Sequence, residues 1–306
     1  MKILTYGDLE SKDGLVPLLD HAFRWVFNQR KFEDSIKIDP RLKNGPVSFC
    51  AVENGRILGH VGVLDLNTRT IDGTLEKVGG IYGVATLPGY TRKGISTALM
   101  NSAHQYFREK DYRFCFLGTS PVLVAHALYE KLGYTDLIEF PNAYIVVKTK
   151  KAKSSGKRKV AKSSFDKLLR IYNEFTKEKT GFVIRDKAYL RMLRKVEEIK
   201  AKQCLINEEG YVIFREDKQQ GLCIRELVAL NVKEMNRLIS MMEERAKGSV
   251  YDRAVLNPAV LEVYRSRGYM IQDRGYGVLM YRSLTANASF EETYGSEFYL
   301  SRLDAF

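Results

Sequence analysis

The segment from Gly83 to Met100 has the residue types of an anion-binding turn. An apolar strand pattern ends near Thr86, a Pro88-Gly89 turn follows, and apolar residues then recur at helical spacing from Ile95 onwards. The first N–H groups of such a helix have no carbonyl partner within it, and they carry the positive end of the helix dipole. The pattern therefore predicts a phosphate site at the start of this helix.

Five residues around the helix start suit a phosphate. Gly94 lets an anion approach the main chain closely, and Arg92 and Lys93 supply positive charge. The hydroxyls of Ser96 and Thr97 can donate further hydrogen bonds. The chain has neither the GxxxxGK(S/T) pattern of a nucleoside-triphosphate site nor the GxGxxG pattern of a dinucleotide site. A pyrophosphate of another kind is the expected ligand, and a turn without a ligand is the alternative.

The elements that hold this turn follow from the surrounding pattern. Two apolar runs, Val47–Val52 and Ile57–Val63, flank Asn54-Gly55 and predict a β-hairpin. A third strand is expected over Leu75–Thr86, directly before the turn. Three elements are expected after the long helix: a strand at Arg113–Gly118, a short helix at Val122–Leu132 and a final strand at Ala143–Val147. This order predicts an α/β (α+β) fold with a mixed sheet.

A faint internal repeat indicates that this α/β unit occurs twice. Leu128–Tyr134 recurs as Val263–Tyr269, so that both tyrosines and the glycine shift by 135 positions. Each copy is followed by an apolar strand, at Tyr144–Val147 and at Tyr276–Tyr281. The simplest explanation is two tandem copies of one unit.

The second copy has its own features. Two apolar runs, Tyr211–Arg215 and Gly221–Ala229, predict a second hairpin. The helical segment that follows, Leu230–Met242, has no glycine where the phosphate turn is expected. We therefore expect the second copy to be degenerate, without cofactor binding, to wall the substrate cleft, and to use Tyr264 structurally.

Length and charge suggest how the chain is divided. At 306 residues the chain is long for one domain, and a lysine-rich run at 148–163 separates residues 1–147 from residues 164–283. Residues 284–306 then form a C-terminal tail. The net charge of +12 and the basic run allow two interpretations, a solvated linker or a nucleic-acid-binding arm. No aromatic residue is interleaved for base stacking, so a linker is favoured.

Cysteine, histidine and hydropathy patterns exclude several classes. The four cysteines and four histidines are scattered without metal-ligand spacing, so no metal is expected. Cys115 lies in an apolar run and is interpreted as a core residue. The sequence has no apolar run of about 20 residues and no signal peptide, which favours a cytoplasmic protein without a membrane partner.

The phosphate turn also carries a resemblance. Thr91–Ser96 resembles the pyrophosphate loop of the GNAT acetyltransferases, Gln/Arg-x-x-Gly-x-Gly/Ala, and departs from it at its first and last positions. Together with Val78–Ala85, Tyr129–Tyr134 and Phe175–Tyr189, the chain resembles the Eis-type tandem-GNAT N-acetyltransferases from about residue 1 to about residue 283. Those proteins usually carry a third, sterol-carrier-like domain, which we expect to be absent here.

The resemblance implies an acetyl-CoA-dependent N-acetyltransferase in which an amine attacks the thioester directly in a ternary complex. Tyr129 would be the general acid, with a plain core tyrosine as the alternative. The carboxylate of Phe306 would be the general base, with a frayed terminus as the alternative. The residues expected to bind acetyl-CoA are Val84, Ala85, Thr86, Arg92, Lys93, Gly94, Ile95, Ser96 and Thr97.

Several properties stay open at this level. The acceptor could be an amine-bearing small molecule, a protein lysine or a protein N-terminus, and the protein could assemble as a homo-oligomer. The alternative function is a basic nucleic-acid-associated or ribosome-associated binding module that keeps only a vestigial acetyltransferase fold. It is supported by the net charge of the chain and by the lysine-rich run.

Overall fold

The structure is a computed structural model that describes residues 1–24, 26–147, 164–217, 221–273 and 277–304. The lysine-rich run at 148–163 and Phe306 lie outside the described residues, as does Tyr276 at the start of a predicted strand. In the described part of the chain, no helix has the length and apolar character needed to cross a membrane.

The described chain alternates strands and helices. The strands are β1 (Lys2–Thr5), β2 (Ser48–Glu53), β3 (Arg56–Arg69), β4 (Leu75–Thr86), β5 (Phe114–Thr119), β6 (Thr135–Glu139), β7 (Asn142–Val146), β8 (Thr180–Gly181), β9 (Cys204–Ile206), β10 (Gly210–Asp217), β11 (Gly221–Ala229), β12 (Ser249–Asp252), β13 (Met270–Gln272), β14 (Val278–Ser283) and β15 (Phe298–Tyr299). The helices are α1 (Leu15–Phe23), α2 (Gln29–Ile38), α3 (Ile95–Glu109), α4 (Val124–Lys131), α5 (Ser164–Phe175), α6 (Lys187–Lys195), α7 (Val232–Arg245), α8 (Pro258–Ser266) and α9 (Phe290–Tyr294).

These strands form two mixed sheets. Within the described residues the first sheet holds nine strands, with β1-β2-β3-β4-β5-β14-β6 as its main order and with β8 and β15 attached at the far end of β3. The second holds six, in the order β13-β7-β12-β11-β10-β9. β4 runs parallel to β5, and β11 runs parallel to β12. The predicted mixed-sheet α/β fold is confirmed, and the two sheets suggest a tandem arrangement.

Two strands are exchanged between the sheets. β7, which follows the first copy of the repeat, pairs with β12 and β13 of the second sheet. β14, which follows the second copy, lies between β5 and β6 of the first sheet. A cut at residue 147 therefore does not separate the two sheets, because each sheet is completed by a strand from the other half of the chain.

Local signals predicted the first hairpin correctly. β2 and β3 are antiparallel, and Asn54 and Gly55 between them have φ values of +51° and +75°. Two consecutive positive φ angles are those of a type I′ turn, which matches the twist of the flanking strands.

The first sheet is covered on both faces. α3 and α4 pack on one face around Leu99 and Phe107. On the other face the core includes α1 and aromatic residues of the C-terminal tail, among them Phe290 and Tyr294, whose rings contact Phe114. β4 leads through the turn at residues 87–94 into α3.

Candidate active site

The start of α3 leaves backbone N–H groups free for an anion. Gly94 caps the helix in the left-handed region at φ +79°, and the first helical hydrogen bond runs from Ala98 N to Gly94 O at 2.9 Å. The N–H groups of residues 95–97 precede that bond and have no carbonyl within the helix to pair with. A Cβ added at Gly94 would meet no atom within 4 Å. The main chain here is thus open to a ligand, as a phosphate cradle requires.

Charged and hydroxyl side chains surround this cradle. Arg92 and Lys93 are exposed, and Lys93 Nζ lies 4.8 Å from the centre of the Tyr90 ring. The Ser96 and Thr86 hydroxyls are 2.8 Å apart and hydrogen-bonded, which ties the end of β4 to the start of α3. The predicted residues of the turn are therefore brought together on one surface, and one of them, Ser96, already has a partner.

A slot opens beside the cradle because β4 and β5 diverge. The two strands pair only from Gly79–Ile81 to Cys115–Leu117. Beyond these pairs, Val84–Thr86 continues along β3 while the end of β5 continues along β14. The backbone of β4 next to α3 is consequently not covered by β5. Such a slot can accept an extended ligand arm that leads from the phosphate cradle into the sheet.

A bulge shapes the β4 side of this slot. The register of β3 and β4 shifts between His60 and Gly62, so that Gly83 and Val84 together oppose Val61. Gly83 has φ +59°, a conformation that favours glycine. A bulge turns backbone groups away from the ladder and can aim an N–H at a ligand. Sequence reasoning did not single out Gly83, although an isolated glycine inside a strand is the signal for a bulge.

His60 stabilises the bulge through a hydrogen bond. Its Nδ1 lies 2.7 Å from the Gly83 carbonyl oxygen, and the residue is buried. Burial lowers the pKa of His60 to about 4, against a smaller opposing effect of that hydrogen bond. The ring is therefore neutral near pH 7, and Nδ1–H donates to the carbonyl. The sequence carried no signal for this role.

Tyr129 on α4 has the properties of a proton donor. The residue is 5% exposed, and no hydrogen bond of its hydroxyl is found within the described part of the chain. Burial raises its pKa to about 12. The phenol stays protonated at neutral pH and has its proton available, which suits an acid and not a base.

The position of Tyr129 is set by the end of its helix. Gly133, at φ +81°, donates to Glu130 O at 2.9 Å, and Tyr134 N donates to Tyr129 O at 3.0 Å. These two bonds form a Schellman motif. The accompanying side-chain contact is between the rings of Tyr129 and Tyr134, whose centres are 6.0 Å apart.

Ser120 is a further polar group that sequence reasoning missed. It follows the last residue of β5, and its hydroxyl is buried without a hydrogen-bond partner among the described residues. A buried hydroxyl without a partner costs free energy unless a ligand or water completes it. Its only sequence signal is that a serine follows a predicted strand.

The second copy has the same framework but a different helix start. The side chain of Asn231 accepts a hydrogen bond from Glu234 N at 2.9 Å and so caps α7 with a protein group. Glu234 itself is buried in the first turn and would repel a phosphate. The protein thus closes the site that Gly94 leaves open in the first copy.

In the second copy, residues of the C-terminal tail occupy the corresponding slot between β11 and β12. Tyr299, Ser301 and Arg302 of the tail line a cavity of only about 30 Å³ with Glu226 and Asp252 at the diverging ends of β11 and β12. This volume has room for a water molecule or two but not for a cofactor arm.

The tail is anchored by a buried ion cluster. Arg185 Nη2 lies 2.7 Å from Glu226 Oε1 and 2.9 Å from Asp304 Oδ2. The Tyr189 hydroxyl donates to Asp304, and the Ser301 hydroxyl donates to Glu226. Asp304 is the last described residue, so the predicted role of the Phe306 carboxylate lies beyond the described chain.

Comparison with known proteins agrees with this geometry. Residues 13–134 match the model of the Acetyltransferase (GNAT) family. This part of the chain is a GNAT acetyltransferase family domain. The match spans the phosphate cradle, the slot and Tyr129. Comparison with curated proteins finds no significant sequence match.

Solved structures share the fold of the GNAT domain and of the chain beyond it. A GCN5-related N-acetyltransferase from Kribbella flavida has a TM-score of 0.65 at 16% identity, covering 92% of this chain and 72% of that one. Eis1 from Mycobacterium abscessus has a TM-score of 0.61 at 16% identity, covering 93% and 74%. A GCN5-related N-acetyltransferase from Sphaerobacter thermophilus has a TM-score of 0.55 at 11% identity, covering 94% and 97%. At these identities the likeness shows a shared fold, and it extends over both sheets.

Proposed function

We propose that the protein is an acetyl-CoA-dependent N-acetyltransferase that transfers an acetyl group to a primary amine in a ternary complex. The observation that carries this proposal is the alignment of three features in one GNAT domain. These are the open start of α3 at Gly94, the slot between β4 and β5, and the Tyr129 hydroxyl, which has no hydrogen bond among the described residues. GNAT domains use acetyl-CoA, and the open cradle and slot fit its pyrophosphate and its extended arm.

The cradle would hold the pyrophosphate by charge and by main-chain hydrogen bonds. Arg92 and Lys93 are exposed beside the unpaired N–H groups of residues 95–97, and no side chain occupies the space in front of Gly94. The backbone of Val84–Thr86 would pair with the arm of the co-substrate, as a strand pairs with a neighbour. Ser120 offers a buried hydroxyl at the same end of the slot.

The chemistry needs a polarised carbonyl and a proton for the leaving sulfur. Acetyl-CoA supplies the acetyl group as an activated thioester. A main-chain N–H at the Gly83–Val84 bulge would polarise the thioester carbonyl. The amine nitrogen forms the new C–N bond, the C–S bond breaks, and Tyr129 gives its proton to the departing sulfur. The proton of the attacking amine leaves to a base, and tyrosinate regains a proton from solvent.

The Phe306 carboxylate remains our proposal for that base. It is supported by the anchoring of the preceding segment, since Asp304 is held by Arg185 and Tyr189. Adding one glycine after Phe306 would move the carboxylate by one residue, about 3.8 Å, and leave the anchored segment intact. We expect kcat to fall without a change in melting temperature. Unchanged kcat in this extended protein would rule out the carboxylate as base.

A thiol-release assay with acetyl-CoA and a panel of amines tests the proposed function. The panel contains a polyamine, an aminoglycoside, a lysine peptide and a peptide with a free N-terminus. In parallel, CoA at about 100 times its Kd should stabilise the fold by about 2.7 kcal/mol, seen as a rise in melting temperature. Gly94→Glu should abolish both effects by placing a carboxylate in the cradle. If no amine releases thiol and no CoA ester raises the melting temperature, the proposal is wrong.

A further inference from the structure

A chain of hydrogen bonds that runs from half-buried Arg282 to buried Cys115 lies beside the aromatic contact of Tyr129. Arg282 Nη1 is 3.1 Å from His104 Nδ1, His104 Nε2 is 2.8 Å from the Tyr134 hydroxyl, and that hydroxyl is 3.1 Å from Cys115 Sγ. The ring of Tyr134 in turn packs edge-on against Tyr129. These hydrogen bonds therefore connect the charged Arg282 to Tyr134, whose ring packs against the proposed general acid.

The direction of the first two hydrogen bonds in this chain is determined. The guanidinium of Arg282 has only donors, so His104 Nδ1 must accept. Burial and the charge of Arg282 lower the pKa of His104 to about 3, so the ring is neutral and carries its hydrogen on Nε2. Nε2–H then donates to the Tyr134 oxygen, and either atom can donate in the contact between that oxygen and the sulfur of Cys115. The position of the Tyr134 oxygen is thus fixed by its two neighbours.

The second copy shows that the Schellman motif forms without these side-chain hydrogen bonds. Tyr269 N donates to Tyr264 O at 3.0 Å and Gly268 N donates to Arg265 O at 3.0 Å, so the same Schellman motif forms there. The rings of Tyr264 and Tyr269 also pack together, with centres 4.5 Å apart. Yet no hydrogen bond joins the Tyr269 hydroxyl to a histidine or a cysteine in the described part of the chain, and its polar neighbour is Glu243. The hydrogen-bonded chain is an addition specific to the copy whose acid tyrosine is free.

Arg282 lies beside His104 because β14 is exchanged into the first sheet. It lies on β14, opposite Cys115 on β5, although β14 comes from the C-terminal half of the sequence. Its guanidinium also lies 3.7 Å from where a Cβ at Gly133 would be, under the turn that ends α4. A residue of the other half of the chain thereby supports the helix end that carries Tyr129.

We propose that Arg282 is a positioning residue that acts on Tyr129 through His104 and Tyr134. This inference rests on the proposed function, in which Tyr129 protonates the leaving sulfur. Arg282 and His104 hold Tyr134 in one orientation, and the Tyr134 ring holds Tyr129 against lateral movement toward the slot. A proton donor displaced by about 1 Å can lose up to about 100-fold in rate, so a rigid support has a measurable effect.

A double-mutant cycle on kcat separates positioning from general structural support. Arg282→Met removes the charge and the donor while keeping a long apolar stem. Arg282→Lys keeps a charge and a donor. Tyr134→Phe keeps the ring contact and the cap but loses the hydroxyl, so it tests the same chain if Arg282→Met fails to fold. Tyr269→Phe is the matched control in the second copy. Each is made in the wild-type chain and in the Tyr129→Phe background.

If the inference holds, Arg282→Met and Tyr134→Phe lower kcat about 10-fold in the wild-type chain and leave the KM for acetyl-CoA within about twofold. Arg282→Lys retains more activity than Arg282→Met, and Tyr269→Phe leaves kcat unchanged. In the Tyr129→Phe background neither Arg282→Met nor Tyr134→Phe has a further effect, because the group that they position is gone.

Other outcomes would overturn the inference. Equal losses in both backgrounds would mean that Arg282 supports the fold and not Tyr129. Unchanged kcat in a folded Tyr134→Phe variant would mean that the chain has no role in turnover. Both outcomes leave the proposed function intact when the wild-type protein is active and Tyr129→Phe turns over slowly in the same assay. A wild-type chain without amine-dependent thiol release would overturn both proposals.

Discussion

Tyr129 and Tyr264 occupy the same position of the same helix-capping motif, but within the described residues only Tyr264 has its hydroxyl hydrogen-bonded. The Tyr264 hydroxyl donates to Asp252 Oδ2 at 3.3 Å, whereas no such bond of the Tyr129 hydroxyl is found there. Asp252 lies on β12, and its counterpart strand in the first sheet is β5. One copy of the unit therefore binds its tyrosine hydroxyl within the protein, and the other leaves it available for the proton transfer that we propose.

This difference predicts opposite results for two identical substitutions. Tyr129→Phe should lower kcat by about 100-fold or more, the range that a positioned proton donor contributes, with little change in melting temperature. Tyr264→Phe should leave kcat unchanged and cost about 1 kcal/mol of unfolding free energy, because buried Asp252 loses a hydrogen bond. Thiol-release kinetics and urea unfolding of both variants measure the two effects. Equal kcat values for the two variants would contradict the assignment of Tyr129.

The same pair shows how far the sequence alone could lead. The repeat Leu128–Tyr134 and Val263–Tyr269 revealed two copies because a Schellman motif needs glycine at a fixed place, where φ is positive. It could not reveal which tyrosine is free, because the residue that binds Tyr264 lies on another strand. Short-range signals identified the tyrosines, and long-range contacts separated their roles.

The exchange of strands between the two sheets likewise depends on long-range contacts that the sequence pattern does not reveal. The pattern at Ala143–Val147 predicted a strand, and β7 forms at Asn142–Val146. The choice of partner is not encoded in alternation, since any sheet edge offers the same backbone groups. Gly94, by contrast, was predictable, because its conformation and its place before α3 are both local properties.

The phosphate cradle can be tested with a matched pair of glycines. Gly94 and Gly73 have φ values of +79° and +84°, and a Cβ at either would meet no atom within 4 Å. Alanine at either position should cost about 1 kcal/mol of unfolding free energy from backbone strain. Only Gly94→Ala should also weaken CoA binding, because its Cβ would project into the cradle. Titration calorimetry with CoA measures this, and equal Kd values for the two variants would argue against a cradle at Gly94.

The buried His60 predicts a loss of stability in mild acid. Its pKa in the folded protein, about 4, lies below its ordinary value of 6.5. Between these values the unfolded chain binds more protons, so the unfolding free energy falls as the pH falls. From pH 7 to pH 5 His60 should contribute a loss of about 2 kcal/mol.

A variant isolates this contribution from that of other groups. His60→Asn keeps a donor for the Gly83 carbonyl but does not titrate in this range. Buried His104 has a lowered pKa too and adds a loss of the same sign in both proteins. Urea unfolding at pH 7, 6 and 5 should give a shallower slope for His60→Asn than for the wild-type chain. Identical slopes would show that His60 is not held neutral by burial.

Removal of Arg185 should destabilise the buried ion cluster at the tail. Within the described residues, no other cation lies within bonding distance of the two carboxylates of this cluster. Arg185 has both side-chain partners, Glu226 and Asp304, inside the protein, and its own side chain is fully buried. Arg185→Met should therefore cost about 3 to 5 kcal/mol of unfolding free energy, because two carboxylates are left without a counter-charge. Removing one of those charges with Asp304→Asn in the same chain should recover part of the loss.

An exposed arginine provides the control for this prediction. Arg265 lies within 2.9 Å of Asp273, but its side chain is 43% exposed. Solvent screens such a pair, so Arg265→Met should change the unfolding free energy far less than Arg185→Met does. Urea unfolding compares the two variants directly. An Arg185→Met cost no larger than that of Arg265→Met would mean that the tail is not held by its charges, and support for the Phe306 proposal would be lost with it.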